Sequence, residues 1–120
     1  MSGISPKKIF EEVAKKANSS GEGKRIMKEW VGPYYGKILQ FETDTEKFYL
    51  VVKDGRMKVQ DGEYPSPDLT FRGSSQVISD VFTGKRSVGE AMESWDLLLI
   101  GAGHEGFILG KLITTVFLEV

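Results

Sequence analysis

The residues of this chain best placed to do chemistry sit together in GAGHEG, Gly101 to Gly106. The run contains G-x-G-x-x-G, as Gly101, Gly103 and Gly106, after the apolar stretch Leu97 to Ile100. In a dinucleotide-binding unit such glycines permit a tight turn, close approach of backbone to a pyrophosphate, and tight packing of the helix whose first amides hold the phosphate. That unit also needs a second parallel strand ending near an acidic residue about 20 positions on. The residues after Gly106 suffice for one helix only. A glycine-rich joint between a last strand and a closing helix is the favoured reading, with no cofactor. The single histidine, His104, stands beside Glu105. Adjacent side chains at a helix start point in different directions, which makes a shared acid–base task awkward. No Ser-x-x-Lys, G-x-S-x-G or H-E-x-x-H pattern accompanies them. The absence of cysteine removes thiolate nucleophiles, disulfides and cysteine metal sites. Neither a catalytic residue nor a metal ligand is expected, and the chain is not read as an enzyme.

Sixteen Lys plus Arg against seventeen Asp plus Glu give a formal net charge of -1. Neutralising many phosphates demands a basic excess, so nucleic acid is not an expected partner. The basic residues between Lys7 and Lys28 alternate with acids and read as a solvated helical face, with transient contact to an anionic membrane surface as the alternative. The opening MSGISPKKIFEEVAKK carries charge throughout and lacks the apolar core of a signal peptide, and no apolar run approaches the roughly 18 residues of a membrane span. A cytoplasmic location is expected. Residues 1–120 suffice for a single domain that buries roughly two thirds of the surface exposed by the unfolded chain.

Periodicity indicates the elements that must position these groups. Ser5-Pro6 followed by Ile9, Phe10, Val13, Ala14 and Ala17 predicts a helix with a serine cap and proline in its first turn, and Ile26, Met27, Trp30 and Val31 predict a second. From Gly36 the period is two. Leu39, Phe41 and Thr43 would share a face with Phe48, Leu50 and Val52, and Asp54-Gly55 predicts a two-residue type I′ hairpin leading to Met57 and Val59. Asp61 to Pro67 is a proline-bearing loop, and Leu69 and Phe71 mark a fourth strand. Ser74 or Ser75 caps a helix carrying Val77, Ile78, Val81 and Phe82. Ser87 to Glu90 is a capping box for a short helix with Val88, Ala91, Met92 and Trp95 inward. Leu97 to Ile100 is the fifth strand and Phe107 to Leu118 the closing helix. Helices, a four-strand meander, helices, one strand and one helix argue for an α+β fold, a five-stranded, largely antiparallel sheet with helices on one face.

Several short signatures recur in a telling order: V-x-D-G at Val52 to Gly55, P-D-L-T-F at Pro67 to Phe71, F-T-G-K at Phe82 to Lys85, and S-V-G-E-A at Ser87 to Ala91 before a strand and a glycine. Over Phe48 to Gly101 this layout resembles the sterol carrier protein type 2 family, the nonspecific lipid-transfer domain. The resemblance implies an apolar tunnel between sheet and helices holding a fatty acid, fatty acyl-CoA, phospholipid or sterol-like lipid. Matching positions would put Phe41, Leu50 and Phe71 on its floor, Val77, Ile78, Val81, Phe82 and Met92 on one wall, and Phe107, Ile108 and Leu112 on the closing helix. The same spacing serves a packed core, and only an unfilled volume makes such residues ligand contacts.

The family's last strand usually alternates apolar and polar residues before G-x-x-G. Here Leu97 to Ile100 is wholly apolar and Gly101 to Gly106 is longer, which implies a reshaped tunnel mouth. A lipid headgroup would meet the Gly101 to Gly106 backbone or a rim cation, Lys85, Arg86 or Lys111. Leu98 and Ile100, with Ile38, Tyr49 and Val51, would leave an apolar patch on the outer sheet face. The alternative function is therefore a protein-interaction domain, or a homodimer, that uses this patch and has a closed cavity.

Overall fold

The computed structural model describes residues 5–118; the first four residues of the charged N-terminal segment and the last two lie outside the described residues. The elements are α1 (Pro6–Ser19), α2 (Gly21–Val31), β1 (Lys37–Glu42), β2 (Lys47–Lys53), β3 (Arg56–Asp61), β4 (Leu69–Gly73), α3 (Ser75–Phe82), α4 (Val88–Glu93), β5 (Leu97–Gly101) and α5 (His104–Val116). Ser5, Ser20, Ser74 and Ser87 each accept a hydrogen bond from a backbone N–H three residues on, which satisfies an amide that the first helical turn leaves unpaired. Asp54 and Gly55 stand at φ 56° and 71°, the paired positive values of the predicted hairpin turn.

The five strands run in the order β3-β2-β1-β4-β5, and β1–β4 is the one parallel pair. The expected meander is thereby corrected, because β4 lies beside β1 rather than beside β3. The loop after β3 carries the chain across the outer sheet face, past β2 and β1, and Gln40 holds it there. The Gln40 amide donates to the carbonyls of Phe48 (3.1 Å) and Gly62 (2.9 Å) and accepts from Tyr64 N–H (2.7 Å). Asp68 then accepts from Ile38 N–H at 2.7 Å, which sets β4 against β1.

Leu39, Phe41, Phe48, Leu50, Val52, Met57, Leu69 and Phe71 alternate onto the inner face and are buried beneath the helices. Phe10, Phe41, Phe48, Phe71 and Phe82 form an aromatic cluster, with ring centroids 4.6–5.9 Å apart. That cluster fills the middle of the interface. In α4 only Ala91 is buried. Trp95, expected to face inward, is 80% exposed, because the chain leaves α4 through a turn that holds Trp95 at φ 63°.

Candidate functional site

At one end of the interface the two layers separate around a cavity of about 400 Å³, within the roughly 300–1,000 Å³ typical of small-molecule sites. Phe71 and Leu99 form its sheet side, Val81, Phe82, Val88 and Met92 come from α3 and α4, and α5 supplies Gly106, Phe107, Gly110, Ile113 and Thr114, with Gly103 just before it and Leu118 beyond it. The cavity reaches the surface, since Val88, Met92 and Phe107 in its wall are exposed.

The sequence of α5 accounts for the space. Gly103, Gly106, Gly110 and Thr114 recur at helical spacing on the face turned toward the cavity. A Cβ at Gly103 or Gly110 would meet nothing within 4 Å, so these positions leave volume empty. At Gly106 it would stand 3.4 Å from Leu69 and 3.6 Å from Phe71, ordinary contact distances, so α5 lies directly against the sheet at this point. Gly101 has φ 116°, and a Cβ there would lie 2.7 Å from the Asp68 carbonyl oxygen. The glycine run is thus a joint. Its edge strand β5 pairs antiparallel with β4, and the amides of Glu105 and Gly106 bond back to Ala102 (3.0 Å) and Gly103 (2.9 Å). With β4 as its antiparallel neighbour, this start of α5 lacks the neighbouring parallel strand of a dinucleotide site.

Of the residues expected at the ligand, the structure gathers Phe71, Val81, Phe82, Met92 and Phe107 on the cavity wall. Phe41, Leu50, Ile78 and Leu112 belong instead to the packed core with no exposed surface, and Val77 and Ile108 are half-buried away from the wall. Periodicity assigned Val88 and Leu118 to helix faces and Leu99 to a strand, without marking them as wall residues. The small-residue recurrence on α5 was the signal that could have located the empty volume.

A buried polar group not anticipated from the sequence lies at the start of α5. Trp30 donates its indole N–H to Glu105 at 2.6 Å, and the Lys37 ammonium donates at 2.9 Å. Burial pushes the Glu105 carboxyl up, but the Lys37 and Trp30 hydrogen bonds and the Lys37 charge outweigh it and hold the group below the ordinary glutamate value. Glu105 therefore ties α5 to α2 and β1. His104 is exposed and has no hydrogen-bond partner among the described residues. No cluster of three or more His, Cys, Asp or Glu among the described residues could hold a metal ion. Of the candidate headgroup cations, Arg86 is committed to Glu90 and Asp96, whereas Lys85 and Lys111 are exposed and make no ion pair among the described residues.

On the outer sheet face, Ile38, Tyr49 and Val51 floor a groove of about 710 Å³ whose walls include Tyr35, Lys53, Arg56, Lys58 and Tyr64. The expected apolar patch is therefore partly covered by the β3–β4 loop and mixed with cations. Leu98 is half-buried and Ile100 is exposed.

No curated protein matches the chain in sequence. The model of the SCP-2 sterol transfer family matches residues 10–101. The fold is similar to the UbiJ-SCP2 ubiquinone synthesis protein, with a TM-score of 0.73 and 15% identity over 92% of this chain and 93% of that one. It is similar to sterol carrier protein domain 2 of Helicoverpa armigera, with a TM-score of 0.68 and 20% identity over 100% and 97% of the two chains. It is also similar to Sterol Carrier Protein-2 of Aedes aegypti in complex with the C16 fatty acid palmitate, with a TM-score of 0.66 and 14% identity over 96% and 99%.

Proposed function

The chain belongs to the SCP-2 sterol transfer family, and we propose that it carries a lipid, its acyl chain lodged in the cavity between β4–β5 and α3–α5, without chemistry on the ligand. The observation that carries this reading is the unfilled apolar volume itself, since stripe residues around a filled interior would be ordinary core. The driving force is burial of chain, about 0.8 kcal/mol for each methylene removed from water before entropy is subtracted. The palmitate held by the Aedes aegypti protein supports a fatty acid or fatty acyl-CoA. Phe71, Val81, Phe82, Met92 and Phe107 would contact the chain, and Lys85 and Lys111, both exposed and without an ion pair among the described residues, are the cations free to meet a carboxylate or phosphate. Native mass spectrometry of the purified protein, followed by organic extraction, tests this. A bound fatty acid, acyl-CoA or phospholipid is the expected result. An empty protein that also fails to enhance a fluorescent fatty acid overturns it.

A second reading, a protein-interaction face on the outer sheet, draws on the Ile38–Tyr49–Val51 groove and exposed Ile100. Concentration-dependent size in sedimentation, lost on Leu98→Lys, would favour it. A monomer at all concentrations counts against self-association.

A further inference from the structure

The structure assigns a second site to the outer face of the sheet, a groove fitted to a small aromatic phosphate of the size of a nucleoside monophosphate. It lies across the sheet from the lipid cavity, so it does not depend on the lipid-carrier reading. The groove encloses about 710 Å³, within the range of small-molecule sites. Ile38 on β1 and Tyr49 and Val51 on β2 form its floor, and Lys53, Arg56 and Lys58 line it from the β2–β3 hairpin. The register sets these cations side by side. Lys53 stands directly opposite Arg56, and Lys58 is opposite Val51 on the same face. Like charges directly opposite on one sheet face destabilise the strand pair, so folding alone gives no reason for this arrangement. Arg56 and Lys58 make no ion pair or side-chain hydrogen bond among the described residues, and Lys53 donates only to the Tyr35 hydroxyl.

Two carboxylates also line the groove. Asp68 is committed to the Ile38 N–H at 2.7 Å, and Asp54 stands at the hairpin tip, where the adjoining hollow also holds Lys28 of α2. A cationic excess thus remains here in a chain whose net charge is -1. This local excess suits one small anion, whereas a nucleic acid would need basic surface far beyond it. An arginine fork beside two ammonium groups suits a phosphate, which accepts a bidentate guanidinium. The ring follows from the tyrosines. The Tyr49 and Tyr64 ring centroids lie 5.4 Å apart, and Tyr64 belongs to the β3–β4 loop that Gln40 pins by accepting the Tyr64 N–H at 2.7 Å. That wall is therefore set before a ligand arrives. Tyrosines beside an apolar floor receive a planar ring on its face. A protein strand added at this edge fits less well. The Asn18 side chain already donates to the Met57 carbonyl at 2.9 Å and accepts the Met57 N–H at 2.8 Å, which occupies the open side of β3 at that residue.

Amide NMR titration with adenosine monophosphate tests the assignment, with adenosine and inorganic phosphate as the two half-ligands. The expected result is shifts at Val51, Lys53, Arg56, Lys58 and Tyr64, none at Leu99, Phe107 or Gly110, and affinity at least about ten-fold above that of either half-ligand. Affinity should fall as salt rises. Arg56→Glu separates binding from folding. It puts a carboxylate opposite Lys53, so the unfolding temperature should hold or rise while affinity falls by about ten-fold or more. No shifts at millimolar adenosine monophosphate, phosphate alone binding as tightly, or affinity indifferent to Arg56→Glu overturns the site. Shifts at the same amides on concentrating the protein without the nucleotide overturn it in favour of a second copy. Affinity should be the same with palmitate present, and competition between the two would make the phosphate a headgroup ligand of the cavity and overturn the outer site. Palmitate uptake by a protein that ignores the nucleotide leaves the lipid carrier standing, and nucleotide binding by a protein that takes no palmitate leaves the outer site standing.

Discussion

At Gly110 one missing side chain separates a cavity from a core. A Cβ built there touches nothing within 4 Å, and glycine inside a helix costs about 1 kcal/mol against alanine. Gly110→Leu should therefore raise the unfolding temperature while lowering affinity for a fluorescent fatty acid by about ten-fold or more. Lower stability with binding intact would place the ligand elsewhere. Glu105 poses the opposite case. Its folded carboxyl lies below the unfolded value of about 4.3, so its contribution is fully present above that pH and is lost as pH falls through the folded value. Glu105→Gln should cost about 1–3 kcal/mol at pH 7, and urea titrations at pH 7 and pH 3 should show a smaller cost at the lower pH. An equal cost at both would mean that the carboxylate charge is irrelevant. Glu105 escaped the sequence reading because Trp30 and Lys37 lie 75 and 68 positions away. Gly101, by contrast, was legible as part of a joint from the glycine run between a strand and a helix, although the atom that demands glycine there, the Asp68 carbonyl oxygen, is distant in sequence.

The elements that sequence pattern placed correctly are those with local causes. Serine caps, the Asp54-Gly55 turn and the alternation that turns Phe41 and Phe71 inward depend on residues a few positions apart. The parallel neighbour of β1 was not legible, because it depends on where a loop crosses the sheet. Gln40 is 1% exposed and binds that loop through Gly62 and Tyr64. Replacing it by leucine should strand the Gly62 carbonyl and the Tyr64 amide, a loss of about 2–3 kcal/mol. Hydrogen exchange at Tyr64 should accelerate by far more than at Tyr49 in β2. Unchanged exchange at Tyr64 would mean that the prolines, Pro65 and Pro67, hold the loop without Gln40.

Across the whole molecule, the interface between sheet and helices is divided in two. The phenylalanine cluster fills its centre from α1 to β2, and the open volume is confined to the end bounded by α3, α4, β5 and α5. Sequence pattern could not draw this line, since Phe41 and Phe71 have the same period and chemistry and differ only in what the facing helix presents. A ligand in this cavity should therefore stabilise the fold unevenly. At about one hundred times its dissociation constant, a fatty acid adds about 2.7 kcal/mol to global stability, and local openings that expose the cavity are suppressed with it. Hydrogen exchange with and without the fatty acid should slow in α4, β5 and the cavity face of α5. In α1, β2 and β3 it should change only for amides that exchange through global unfolding. Slowing of local exchange in α1 equal to that in α4 would mean that the chain threads the phenylalanine cluster, turning Phe10 and Phe48 into ligand contacts and making the cavity one end of a longer tunnel.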